Sequence, residues 1–349
     1  MERPDLSQVS PSVREYIAFL EAELEALRAR SKPRIHGEVD ADLDNPAIGV
    51  FPDEPPTTLH VITYTNNFLA KRTARHLYSR QRRGGMGVFD LETPEDEPLA
   101  GITVADEGQS VLLFTSLGRV FRLPVSQILT TDVRARGQTL AGRLILLSDE
   151  SLISILPDVA SGAVAMVSRR GWVRYLRHHI FGEYMKPGVV LMDVRQFGPL
   201  AAACRTTGDS DLFVATRQGK AIRFSAKLVP PAGGPGIRLE ENDSPVAITA
   251  VDDESTVFMV DSEGNGTIRA MASFAANKSA GGGGKIAMKT DSLVSACRVE
   301  PDDEIFLISH LGKIIRFYAN EVPVKDGIVQ GVHCMALRAD QVAAGLATH

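Results

Sequence analysis

Aromatic side chains are scarce in this sequence, 6% of its 349 residues, and cysteine is scarcer, with three. Cys204, Cys297 and Cys334 are odd in number, widely spaced and outside any CxxC pattern, so neither a disulfide framework nor a zinc site is indicated. They are expected to be small core thiols of a protein kept in a reducing cytoplasm. No run of roughly eighteen apolar residues is present, and residues 1–10 have neither a basic nor an apolar signal region. The expectation is a soluble, unsecreted protein. A P-loop is lacking, as is any His/Cys metal spacing; His178 and His179 are adjacent and would face opposite sides of a strand.

What is present begins with an uneven charge. The net value is −5, yet residues 1–58 hold 6 basic and 12 acidic side chains, residues 59–209 hold 18 and 14, and residues 210–349 hold 14 and 17. Between Leu59 and Phe89 stand Lys71, Arg72, Arg75, Arg80, Arg82 and Arg83 with no acid among them. A patch of that density can hold a polyanion whatever the global charge, because exposed charges act over about a Debye length, roughly 10 Å.

The chain opens with a short helical pattern: Val13, Ile17, Leu20, Leu24 and Leu27 form one narrow apolar seam over residues 12–30. Ser12 and Glu15 make a capping box, and Pro33 ends the helix. Residues 1–32 are thus an amphipathic helix segment, and residues 33–58, acidic and proline-containing, a linker. Everything after it repeats. TYTNNFLAKRT (63–73), LFTSLGRVFRL (113–123), MVSRRGWVRYL (166–176), VATRQGKAIRF (214–224), MVDSEGNGTIRA (259–270) and ISHLGKIIRF (308–317) are six copies of one hairpin. The turn glycines Gly118, Gly171, Gly219, Gly264 and Gly312 follow one another at about 50 residues; in the first copy Phe68 takes their place, and Asn66 and Asn67 are expected to supply the left-handed backbone. A second series, Gly87, Gly137, Gly188, Gly236, Gly284 and Gly331, keeps the same period. Six units of that size over residues 59–349, with hairpin signals and almost no helical pattern, predict an all-β, six-bladed propeller rather than a linear solenoid of shorter period.

Within the first repeat, Gln81-Arg82-Arg83-Gly84-Gly85-Met86-Gly87 resembles the heptapeptide QRRGGKG that marks the gyrase A C-terminal domain family. The resemblance extends from about Leu59 to the end and implies a β-pinwheel, a propeller with strands exchanged between blades, whose function is to wrap DNA. Two arginines among glycines suit that role physically: charged forks sit beside a backbone that approaches phosphate oxygens closely, and Gln81 adds a neutral donor. The blander possibility is that Gly84, Gly85 and Gly87 only turn the chain and the arginines are solvated. Met86 stands where the family has lysine, which removes one cation, about one phosphate contact.

Arg119, Arg122, Arg134, Arg136, Arg169, Arg170, Arg174 and Arg177 are candidates for the same track in the second and third repeats, and the more acidic repeats four to six are expected to carry less of it. The catalytic equipment of a complete topoisomerase is not in evidence. Arg174-Tyr175 is only a hairpin position, Asp252-Asp253 and Asp302-Asp303 are repeat turns, and Gly281 to Gly284 have no following helix and are expected to be a flexible loop. The expectation is a non-enzymatic, cofactor-free, nucleoid-associated protein that binds and bends double-stranded DNA. The alternative is an interaction propeller docking on a topoisomerase or gyrase core or another partner, or on a second copy, through the 13–27 seam.

Overall fold

The computed structural model describes residues 54–94, 97–182 and 184–349. The helix expected over 12–30 and nearly all of the linker lie outside the described residues. Its last residues do not: Glu54 is bound into the first and last blades, as set out below.

Residues 59–349 form six small sheets arranged as blades. Blade 1 shows the plan: from the axis outward its strands are Leu99–Asp106, Leu59–Thr65, Leu69–Ala74 and Gln138–Thr139. The first three come from one repeat, and the fourth is lent by the next. Each repeat thus sends a two-residue outer strand back to the preceding blade before its own inner strand returns. Blade 6 receives Val88–Phe89 from the first repeat, paired with Lys313–Tyr318, and this exchange closes the ring. The six inner strands pack in order about the axis, with Val342–Thr348 meeting Leu99–Asp106.

The apolar pattern explains why no blade stands alone. There are six buried clusters, one at each blade boundary. On the strand Ser110–Thr115, Val111 and Leu113 enter the cluster shared with blade 1, while Leu112 and Phe114 enter the one shared with blade 3. Both faces are covered, so the strand reads as a continuous apolar run rather than an alternation. Burial at about 25 cal/mol per Å² is gained only when neighbours stack, which is the energetic basis of a repeat ring.

Two local expectations need correction. At the first hairpin the left-handed residue is neither asparagine but Phe68 itself, φ 67°, at the glycine position of the other copies. Its ring is buried in the cluster between blades 1 and 2, which offsets the backbone strain. His178 and His179 do not flank a strand; they lie in the 3-10 turn His178–Phe181, where His178 Nε2 meets Asp158 Oδ1 at 2.6 Å.

Candidate nucleic-acid interface

Residues 81–87 lie along the outer edge of blade 6. Gln81 N donates to Arg316 O at 2.8 Å, Gly84 N to Cys334 O at 2.7 Å, and Ala336 N to Gly85 O at 2.9 Å. Gly84 and Gly87 have φ of 80° and 68°. A Cβ on Gly87 would lie 2.5 Å from Ile314 O, so only glycine lets the loop press against that strand. The Gln81 side-chain Oε1 accepts from Gly87 N at 3.3 Å and closes the loop.

The two arginines diverge. Arg83 is tied down: its Nε donates to Glu321 O at 2.7 Å, its Nη1 to His333 O at 3.0 Å, and its backbone N to Glu321 Oε2 at 3.0 Å. Arg82 is exposed; its backbone carbonyl accepts from Gly85 N at 3.2 Å, but its guanidinium makes no hydrogen bond or ion pair with the described residues. Met86 is 55% exposed beside it. One guanidinium anchors the loop and the other faces solvent.

Several expected contacts are withdrawn by burial. Lys71 is fully buried, paired with Asp90 at 2.8 Å and donating to Asp132 O; burial pulls its pKa down against the pull of Asp90. Tyr78 donates to the same carboxylate at 2.6 Å, and burial pushes its hydroxyl pKa well up. Arg119 is buried against Glu150 at 2.5 Å and Gly188 O at 2.9 Å. Arg72 is buried and donates to Ile128 O at 3.0 Å. None of the three cations can reach a phosphate without breaking a buried polar network.

Arg72 exemplifies a wider rule. The hairpin arginine recurs as Arg223, which donates to Met271 O at 2.9 Å and Phe274 O at 3.3 Å, and as Arg316, which donates to Arg75 O at 3.1 Å and Tyr78 O at 3.0 Å. In each case the acceptors lie in the short 3-10 turn of the next repeat or on the residue that ends it. The arginine also binds acids: Asp211 and Asp253 for Arg223, Glu304 and Glu54 for Arg316. It is a latch between blades. Arg75, pairing with Glu54 at 2.5 Å, and Arg80, with Glu304 and the Tyr318 hydroxyl, are drawn into the same seam. Glu54 is held below the ordinary carboxylate range: burial raises its pKa, but hydrogen bonds and charge from Arg75 and Arg316 more than reverse that.

The remaining expected residues are more available. Arg122 is partly exposed and paired with Asp158 at 2.5 Å. Arg134 and Arg136 project from the rim near Glu92, at 3.5 and 3.6 Å. Arg169 and Arg170 are exposed at the blade 3 hairpin turn, Arg177 is exposed, and Arg174 is half-buried with Nη1 donating to Leu191 O.

Tracing the outer edge blade by blade finds cations that sequence reasoning missed. The loops leading to or leaving the exchanged strands carry exposed Lys186 on blade 2, Arg238 on blade 3, Lys278, Lys285 and Lys289 on blade 4, and Lys325 on blade 5. Arg134 and Arg136 fill that place on blade 1, and Arg82 on blade 6. Gly281 to Gly284 also change meaning. They hold the register of Gly84 to Gly87, and φ is 79° at Gly281 and 68° at Gly284, matching 80° and 68° in the first loop. The fixed distance from the second glycine series was the signal that could have found this.

The family model described as "DNA gyrase C-terminal domain, beta-propeller" matches residues 69–106, 109–157, 210–252 and 303–347, together half of the chain. The chain belongs to this family. The gyrase A protein of Mycolicibacterium smegmatis is 27% identical over 318 residues, 86% of this chain and 38% of that protein. That of Haloquadratum walsbyi is 27% identical over 307 residues, 83% of this chain and 36% of that protein. The gyrase-family chain therefore spans about a third of the length of the curated relatives it matches. Among solved structures, a DNA gyrase A C-terminal domain superposes with a TM-score of 0.72 at 19% identity, over 82% of this chain and 98% of that one. A DNA topoisomerase IV C-terminal domain gives 0.58 at 18%, over 84% and 94%. Both establish the fold. Among the described residues of this gyrase-type ring, no cluster of His, Cys, Asp and Glu suited to a metal occurs, and no helix is long and apolar enough to cross a membrane.

Proposed function

We propose that the ring binds double-stranded DNA through its outer edge, without reading sequence and without chemistry, and bends the duplex around the blades as an accessory to DNA topology. The observation that carries this is the unpaired Arg82 on the glycine loop at the ring's closing seam, continued by exposed cations on the edge of every other blade. Arginine and lysine on a loop edge contact phosphates, and the scarcity of aromatic side chains disfavours base stacking. Bending 20–30 bp through 40–90° costs on the order of 1–6 kcal/mol, so weak contacts on several blades must act together.

The test is twofold. With about 4–8 phosphates neutralised, the slope of log K against log salt is expected at about −4 to −7. Relaxed circles closed in the protein's presence should trap supercoils, fewer with Arg82→Ala. A slope near zero removes DNA from the account; clear binding with no trapped supercoils removes the bending. A gyrase or topoisomerase core, or a second copy through the 13–27 seam, is the protein partner this reading includes. The exposed apolar side chains Met86 and Phe89, 55% and 52% exposed at the same loop, favour a second reading in which a partner protein docks there.

A further inference from the structure

The boundary between blades 3 and 4 lacks its latch. At the hairpin position held by Arg72, Arg122, Arg223 and Arg316 in four blades and by Ile268 in blade 5, blade 3 has Tyr175. The carbonyls that an arginine would reach there, by the register of the other boundaries, are those of Ala226 and Val229. Tyr175 instead lies beside the loop of its own side: a Cβ on Gly208 would be 3.3 Å from its hydroxyl. A groove of 770 Å³ opens in the space, lined among others by Arg174, Tyr175, Arg177, His179 and Lys227.

Its chemistry is one-sided. Arg177, His179 and Lys227 are exposed, and the acid in the lining is Asp209, 3.1 Å from Lys227. Arg174 lines the groove from the same strand, but its guanidinium turns to the opposite face of the blade, where Nη1 donates to Leu191 O. The planar fork of Arg177 and the point-charge ammonium of Lys227 lining one space suit a tetrahedral oxyanion.

We propose that this groove is a phosphate-binding site, with Arg177 and Lys227 as charged donors, His179 as a ring N–H donor, and Tyr175 as a wall. It lies three boundaries from the seam that carries residues 81–87, half-way round the ring. A phosphate reaches it either on a duplex following the rim or on a soluble ester, and the second route does not depend on the duplex reading.

The experiment uses the full chain, with inorganic pyrophosphate and a short duplex titrated separately by calorimetry, and thermal unfolding as a check on folding. Two changes are compared: Arg177→Ala with Lys227→Ala, and Tyr175→Arg. The second adds a positive charge yet fills the groove and restores the latch, so it is expected to raise Tm and still weaken phosphate binding. A site predicts about tenfold weaker binding in both variants. Loss for pyrophosphate alone assigns the groove to a soluble ester, and loss for the duplex assigns it to the DNA path. Tighter binding with Tyr175→Arg would mean that bulk charge is responsible, and unchanged affinity for both ligands in folded variants would equally overturn the site. Should Arg82→Ala leave duplex affinity intact while the groove variants lose pyrophosphate, the rim reading fails and this one stands.

Discussion

The boundary between blades 6 and 1 and the boundary between blades 3 and 4 are built from the same repeat positions, yet one is sealed and the other open. At the first, the Arg316 side chain is 2% exposed, holds Glu54 and Glu304, and caps Arg75 O and Tyr78 O at the two ends of the Arg75–Leu77 turn. At the second, Tyr175 leaves the Ala226–Leu228 turn without that guanidinium, and a groove results. At these two boundaries one hairpin position separates a fastened pair of blades from a pair with a cleft between them. The contrast also separates two uses of arginine: Arg72, Arg223 and Arg316 on the third strands fasten the ring, and Arg82, Arg134 and Arg136 by the exchanged strands face solvent.

The largest effect expected from breaking the sealed side is with Arg316→Ala. Glu54 keeps Arg75 and Glu304 keeps Arg80, but the guanidinium that joins them is lost and the carbonyls of Arg75 and Tyr78 lose their donor; removing the central member of a buried ionic network costs about 3–5 kcal/mol. Urea unfolding followed by far-ultraviolet circular dichroism measures it; a loss under about 1 kcal/mol would mean that the latch is ornamental. Gly87→Ala tests the strand exchange at the same seam. A methyl group 2.5 Å from Ile314 O on a backbone with φ 68° should cost about 1–3 kcal/mol and loosen the Val88–Phe89 strand, seen as faster hydrogen exchange there.

Acid sharpens the comparison because only the sealed boundary depends on a carboxylate with a lowered pKa. Glu54 contributes stability fully above its unfolded value, ordinarily 4.5, and that contribution fades as pH falls through its lower folded value. Stability should therefore drop below about pH 4.5, and Glu54→Gln should flatten that part of the profile. An unchanged acid limb would remove Glu54 from the seam. The smallest stability effect is at the exposed loop: Arg82→Ala should change unfolding free energy by less than about 0.5 kcal/mol while weakening duplex binding. A large loss of stability would show that Arg82, like Arg83, belongs to the scaffold.

Periodicity made the six blades legible, since two glycine series at one spacing and hairpins of alternating turn and apolar run can hardly arise otherwise. The loop at residues 81–87 was legible for the same reason, by its motif and its place in the first repeat. The individual contacts were not. Lys71, Arg72 and Arg119 carry charges that read as available in a linear sequence, but a strand covered on both faces by neighbouring blades turns them inward. Lys278, Lys285 and Lys325 sit in repeats whose average charge is acidic, and averaging hid them.

The sequence by itself determined the number of blades, the positions of the turns and the glycine loop, because these depend on local backbone freedom and on a period repeated six times. Only the tertiary structure decided which arginine fastens and which is free. That choice depends on strand exchange, which brings residues 81–87 against residues 313–336 and the latch of one repeat against the turn of the next. Ring closure joins the first repeat to the last, and no property of either taken alone specifies what the other will present to it.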